Sequence, residues 1–264
     1  MGGGASKAKG RPASAMPTNA ASQAAKLGSI LSTAGVQKVI LIRHAQAKPR
    51  DANAAAVEAG TVLKADTPFA NAWTVGDLIR PLTADGEAQA VAAAAAYLDA
   101  LELKAIICSE ATRAIVTGEI MTHGKFFKGA TGYLTLHTLH PSRSGTPDCE
   151  KMFDKLGYGT LATYYADTSV PACEGKGKAI FRHYVNKVTS ELHQLVSAGM
   201  ASFATGGDTV AVFGHAVFLN AVAVAVAEAF SIDQADEQVA LMELGEAQGI
   251  LCDASAKTIT LCKA

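Results

Sequence analysis

The sequence predicts an α/β protein, a three-layer α/β/α sandwich around a mostly parallel central sheet. Two stretches carry that reading, residues 38–43 (Lys-Val-Ile-Leu-Ile-Arg) and 209–213 (Thr-Val-Ala-Val-Phe). Each is a short apolar run rich in β-branched residues, as expected of a strand buried on both faces. Strand-like runs also alternate with helical stretches along the chain, which favours one α/β domain over two. With 264 residues, 49% of them hydrophobic, the chain can bury one substantial core.

Residues 1–35 are rich in Ala, Ser, Gly and Lys, and no acidic residue precedes Asp51. Such a composition predicts a disordered tail outside the fold, with the domain running over 36–264. Within the domain, 38–43 reads as the first strand, 85–103 as an Ala-rich helix and 104–108 as the second strand. A helix over 110–123 follows, with Gly124 suited to end it. Residues 133–139 read as a third strand, 179–198 as a long amphipathic helix and 209–213 as a fourth strand. The pair 249–253 and 258–262 alternates around 254–257 like a closing hairpin. Residues 49–76 and 140–178 read as long irregular loops, which in a domain of this kind tend to serve an active site. The apolar stretch 209–230 contains Gly214, His215, Asn220 and Glu228, so it reads as a strand and a buried helix rather than a membrane span.

Charge and cysteine usage exclude some functions. A net charge of -1 gives no electrostatic ground for a nucleic-acid partner. The five cysteines are odd in number, scattered and without a C-x-x-C pair. They suit reduced thiols of a cytoplasmic protein better than a disulfide framework or a zinc site.

The chemistry gathers where strands end, since the carboxyl edge of an open α/β sheet is where ligands bind. Arg43-His44 closes the first strand, Ser109 to Thr117 (Ser-Glu-Ala-Thr-Arg-Ala-Ile-Val-Thr) follows the second, and Gly214-His215 closes the fourth. A further stretch, Asp77-Leu-Ile-Arg80-Pro-Leu-Thr-Ala-Asp-Gly86, precedes the first helix. In residues, order and spacing these four stretches resemble the histidine phosphatase (phosphoglycerate mutase-like) superfamily, and most of all its small phosphohistidine phosphatase branch. The resemblance spans residue 36 to the C-terminus.

The resemblance implies a phosphoglycerate mutase-like fold and a phosphatase that needs no metal and no cofactor. Its substrate would be a phosphorylated small molecule or a phosphoprotein, either a phosphomonoester or a protein phosphohistidine. It implies His44 as nucleophile, with Arg43, Arg113 and His215 forming the phosphate pocket. The residue types fit that chemistry without the family: a neutral imidazole attacks phosphorus, and guanidinium forks match the charge of a transferred phosphoryl group. Arg80 is a candidate substrate contact or a partner of Asp77, and Glu150 is the candidate proton donor. Ser109 and Thr117 read as packing residues, and His123, His137, His140, His183 and His193 as structural. The pattern departs from the superfamily after His44, where Ala45-Gln46 stands in place of a glycine and an acidic residue. Two alternatives remain: a phosphoglycerate mutase-type phosphotransferase, whose further substrate-clamping motifs are not found here, and a non-catalytic phosphate-sensing scaffold.

The opening Met1-Gly2-Gly3-Gly4-Ala5-Ser6-Lys7 fits the N-myristoylation pattern, with Lys7, Lys9 and Arg11 close behind. One acyl chain binds membranes weakly, and nearby basic residues would add attraction to anionic lipid. The alternatives are a low-complexity tail or an organelle transit peptide. The anchor reading expects peripheral membrane association, and an intact-mass measurement on protein from its native host checks it. A myristoyl addition on Gly2 is the expected result, and an unmodified or cleaved N-terminus refutes it.

Overall fold

The strand Lys38–Arg43, β1, is buried along all but its first residue because it has a neighbour on each side. The computed structural model describes residues 19–49, 76–127, 131–200, 203 and 206–264. In chain order the other strands are β2 (Leu103–Ser109), β3 (Tyr133–Leu136), β4 (Thr209–Gly214), β5 (Gly249–Asp253) and β6 (Thr258–Cys262). They form one six-stranded sheet in the order β3-β2-β4-β1-β5-β6. The pairs β3-β2, β2-β4 and β4-β1 are parallel, while β5 runs antiparallel to both β1 and β6. The mostly parallel sheet matches the sequence reading, and the closing hairpin has the expected bounds.

Helices cover both faces, which is what makes the central strands apolar without alternation. The helices are α1 (Asn19–Thr33), α2 (Ala84–Ala93), α3 (Thr112–Met121), α4 (Pro147–Leu156), α5 (Leu161–Ala166), α6 (Gly177–Ser197), α7 (Phe218–Ala229) and α8 (Ala235–Ala240). Val39 and Leu41 of β1 join one core with residues of α1, α6 and α7, whereas Ile40 and Ile42 join a second with residues of α2 and α3. Successive residues therefore feed opposite layers, completing the three-layer sandwich. Helix α7 is apolar apart from Asn220 and Glu228, and ten of its twelve residues are buried. A helix of that kind needs cover all round, which β1, β5, α1, α6 and α8 supply. None of the helices among the described residues is long and apolar enough to cross a membrane.

The structure corrects several sequence boundaries. Residues 19–33, assigned to the disordered tail, form α1 and pack on α6 and α7. Leu27, Ile30 and Leu31, spaced to share one helical face, are buried in the core. The Ala/Ser/Gly-rich composition concealed that stripe. Residues 1–18, including Gly2, lie outside the described residues, as does nearly all of the expected loop 49–76. The other expected loop, 140–178, contains α4 and α5; α4 opens with Pro147 and carries Asp148 and Glu150 in its first turn. The Ala-rich helix continues from α2 into a π-helical stretch, Ala94–Leu98, and stops there instead of reaching residue 103. The third strand ends at Leu136 and gives way to one 3-10 turn over His137–Leu139 and a second over Pro141–Arg143.

If α1 belongs to the core, Leu31→Ala should lower the unfolding free energy by about 2–5 kcal/mol in urea denaturation. The exposed neighbour substitution Ser29→Ala should change it by no more than about 0.5 kcal/mol. Equal small effects from both would remove α1 from the fold.

Candidate active site

Strand register brings the two motif histidines together. Arg43 lies opposite Gly214 in the parallel β1-β4 pair, so His44 and His215 leave adjacent strands at the same level. The His44 amide donates to the Gly214 carbonyl at 3.0 Å, extending the ladder one residue beyond the strands. This is the topological switch point of the sheet: the chain leaves β1 for β2, crossing over β4, and ligands of open α/β sheets bind at such a crevice. The imidazoles meet edge to face with centroids 5.3 Å apart.

Arg113, in the first turn of α3, stands between them with its side chain 4% exposed. Its Nε donates to His44 Nε2 at 3.1 Å and its Nη2 to His215 Nδ1 at 3.3 Å. A guanidinium has no acceptor, so both of those ring nitrogens hold lone pairs. The tautomers follow. His44 Nδ1 carries the hydrogen and donates to its neighbour, the Ala45 carbonyl, at 2.8 Å, while His215 Nε2 donates to Ser109 Oγ at 3.0 Å. Burial first, then the charge of Arg113, pulls the pKa of both histidines well below the ordinary value of 6.5. Both imidazoles are neutral at pH 7.

Asp77 completes the cluster. Its backbone carbonyl accepts from Arg113 Nη1 at 2.6 Å, and its carboxylate accepts from Arg113 Nη2 at 3.1 Å, Arg80 Nη1 at 2.9 Å and His140 Nε2 at 3.0 Å. Burial alone would push this carboxyl up, but the His140 hydrogen bond and the charges of Arg113 and Arg80 outweigh it. The acid is held well below the usual carboxylate range. Arg80 also donates through Nε to the Lys48 carbonyl at 2.7 Å.

Small residues and caps aim these groups. Thr117, one turn beyond Arg113, donates to the Arg113 carbonyl at 2.6 Å and accepts from the Ala45 amide at 3.0 Å, tying the His44 loop to α3. Gln46 is fixed to the start of α2 by the Thr83 hydroxyl, which caps that helix through the Gly86 amide. The contact is so close that a Cβ on Gly86 would fall 2.0 Å from the Gln46 carbonyl oxygen, so only glycine fits. Val217, two residues after His215, has φ of 56° and is fully buried. A β-branched residue there is strained by about 1–3 kcal/mol, and it sits where β4 turns sharply into α7 beneath His215.

The resulting pocket encloses about 500 Å3, part of it open to solvent, and is lined by His44, Asp77, Arg80, Arg113, His140 and His215 on its polar side. Phe153, Tyr158 and Phe218 line the rest, with Glu150 and Asp154. Of the residues singled out in the sequence, His44, Arg113, His215, Arg80 and Glu150 are thus brought together. Asp148 turns away and pairs with Lys151 at 3.1 Å on the surface. Arg43 is not part of the wall: its guanidinium bonds to the Leu244 carbonyl at 3.1 Å and lies 4.2 Å from the centre of the Tyr158 ring. Ser109 and Thr117, read as packing residues, instead hold His215 and the His44 loop, and His140, read as structural, is part of the pocket wall. The signal for His140 was its position just past β3, at the same sheet edge. Among the described residues no cluster of three or more His, Cys, Asp or Glu side chains is arranged to hold a metal ion.

No model of a known protein family matches the sequence, and no curated protein does. Several solved structures are similar in the course of the chain. The protein histidine phosphatase SixA complexed with tungstate is 16% identical, the similarity covering 85% of this chain and 93% of that one with a TM-score of 0.41. A mycobacterial glucosyl-3-phosphoglycerate phosphatase is 14% identical over 86% and 99% of the two chains, with a TM-score of 0.45. Bacillus stearothermophilus YhfR is 18% identical over 86% and 95%, with a TM-score of 0.44. None of these likenesses bears on the chemistry, which the side chains of the pocket carry by themselves.

The lowered histidine pKa values have a sign that can be checked. His44, His140 and His215 bind protons less readily in the folded protein than at their ordinary value of 6.5, so the unfolded chain takes up protons first as pH falls. Their share of stability is full above that value and is lost below it. Asp77 acts in a lower range, its contribution full above the ordinary carboxylate value of 3.8 and lost progressively as pH falls below it. The melting temperature should therefore fall as pH is lowered from about 7.5 to about 5, with the His44 imidazole titrating below 6.5 by NMR. A flat profile, or a His44 midpoint above 6.5, would contradict the neutral assignments.

Proposed function

We propose that the protein is a metal-independent phosphatase of the histidine phosphatase superfamily, working through a phosphohistidine on His44. One observation carries the reading: a buried, neutral His44 whose hydrogen is committed to the Ala45 carbonyl and whose Nε2 lone pair faces the pocket beside the Arg113 guanidinium. A lone pair so prepared is a nucleophile without further activation. The Arg113 N–H that now bonds to it is the donor a phosphoryl oxygen would take over as the P–Nε2 bond forms. Arg80 and Arg113 supply positive charge for the negative equatorial oxygens of a phosphoryl group in transfer, while neutral His215, its hydrogen given to Ser109, helps to hold Arg113 in place. Arg43 acts from behind Tyr158, adding positive potential at His44.

The rest of the lining favours a phosphohistidine over an anionic sugar phosphate. It combines the rings of Phe153, Tyr158 and Phe218 with the carboxylates of Glu150 and Asp154, a setting suited to a flat, cationic leaving group. An imidazole leaving group also needs less help from an acid than an alkoxide does. Glu150, half-buried in the first turn of α4, is the residue nearest to the proton-donor role the sequence suggested.

Hydrolysis of an aryl phosphate and of a phosphohistidine peptide, both in excess chelator, tests this. Wild type should turn over both, His44→Ala neither, and Arg113→Lys should lose roughly 10²–10³ in kcat while staying folded. Turnover that survives His44→Ala refutes the nucleophile. Absence of turnover on phosphoesters, phosphohistidine and phosphoglycerate alike would favour a phosphate-sensing role.

A further inference from the structure

Three histidines stand in the wall of this pocket, and the third is unlike the others. His140 is the extended residue between the two 3-10 turns that follow β3. It is 1% exposed and packs edge to face on His215 with ring centroids 5.0 Å apart. Its Nε2 lies 3.0 Å from Asp77 Oδ2. An ionised carboxylate only accepts, so Nε2 carries the hydrogen. Burial, assisted by Arg113 and opposed by Asp77, keeps the ring neutral at pH 7. Nδ1 is therefore a bare lone pair. It is buried and has no hydrogen-bond partner among the described residues.

A buried acceptor without a protein partner is costly, and native structures seldom keep one unless an ordered water or a ligand meets it or it takes part in chemistry. Here the opposite ring nitrogen is fixed by a carboxylate that two arginines in turn hold in place. That is the arrangement of a general base: the carboxylate sets the tautomer and stabilises the imidazolium that forms. Glu150 is half-buried and Asp154 exposed, both on α4, so neither is fixed in this way.

We propose that His140, oriented by Asp77, is the general base that activates water for hydrolysis of the phosphorylated His44; this rests on His44 being the phosphoryl carrier. The water oxygen bonds to phosphorus as the P–Nε2 bond breaks and its electron pair returns to His44. The water proton passes to His140 Nδ1, and inorganic phosphate leaves. His140 then gives the proton to solvent and regains its neutral form beside Asp77. The first half of the reaction does not use this group, so removing it should stall the enzyme after phosphoryl capture.

Rapid-quench kinetics with a 32P-labelled aryl phosphate test the inference. Wild type should carry little label at steady state. His140→Asn, which keeps an N–H for Asp77, and His140→Ala should each release one equivalent of aryl alcohol in a burst, retain label on His44, and turn over roughly 10²–10⁴-fold more slowly. Added imidazole should speed the slow phase of His140→Ala. The burst counts folded, competent sites, so a folding defect shows as a smaller burst. Counted per burst site, a variant that turns over like wild type, or one whose burst rate constant falls as far as its steady rate, overturns the base assignment. A wild-type enzyme that turns over without ever labelling His44 overturns the phosphohistidine reading itself.

Discussion

The site depends on the buried guanidinium of Arg113. It donates to His44, to His215, and to both the backbone carbonyl and the carboxylate of Asp77, so one side chain fixes three others. A buried cation survives only where such partners replace its hydration, and removing one member of the set leaves the others with unpaired charge. The tautomers of His44 and His215 follow from this residue. Because a guanidinium only donates, it forces lone pairs onto Nε2 of His44 and Nδ1 of His215, and it suppresses protonation of both rings.

The fold makes that meeting possible with little local engineering. Parallel pairing of β1 with β4 puts His44 and His215 at equal height, and the β2-β4 pair brings Ser109 beside them. Helix α3 starts three residues beyond β2, so Arg113 stands over the same edge. Close fits then hold the loops: Thr117 against Ala45, Gly86 against Gln46, and the strained Val217 under His215. The Ala45-Gln46 pair is accommodated in full. Ala45 is buried against α3, and Gln46 bonds to the cap of α2.

Much of this was legible in the sequence because strand ends mark the functional edge of an α/β sheet. The apolar runs before His44 and His215 fixed their level, and the Ser109 to Thr117 stretch delivered Arg113. What the sequence hid came from segments without periodicity. Asp77 precedes the first helix and His140 follows a four-residue strand, and neither pattern says that a carboxylate and an imidazole will meet 63 residues apart. The same holds for Tyr158, which follows α4 and whose ring lies over the distant Arg43. Helix α1 was concealed differently, since three apolar residues on one face are easily lost in an Ala/Ser/Gly-rich segment.

On the proposed reading, the tautomer imposed on His44 leaves one ring nitrogen open to a phosphoryl group. Nδ1 is committed to the Ala45 carbonyl, and Nε2 faces the pocket beside Arg113. The direct measurement is 31P-15N correlation NMR on enzyme with 15N-labelled histidine, trapped during turnover. The phosphorus should couple to Nε2 of His44 and to no other nitrogen. Coupling to Nδ1, or to the ring of another histidine, would contradict the account.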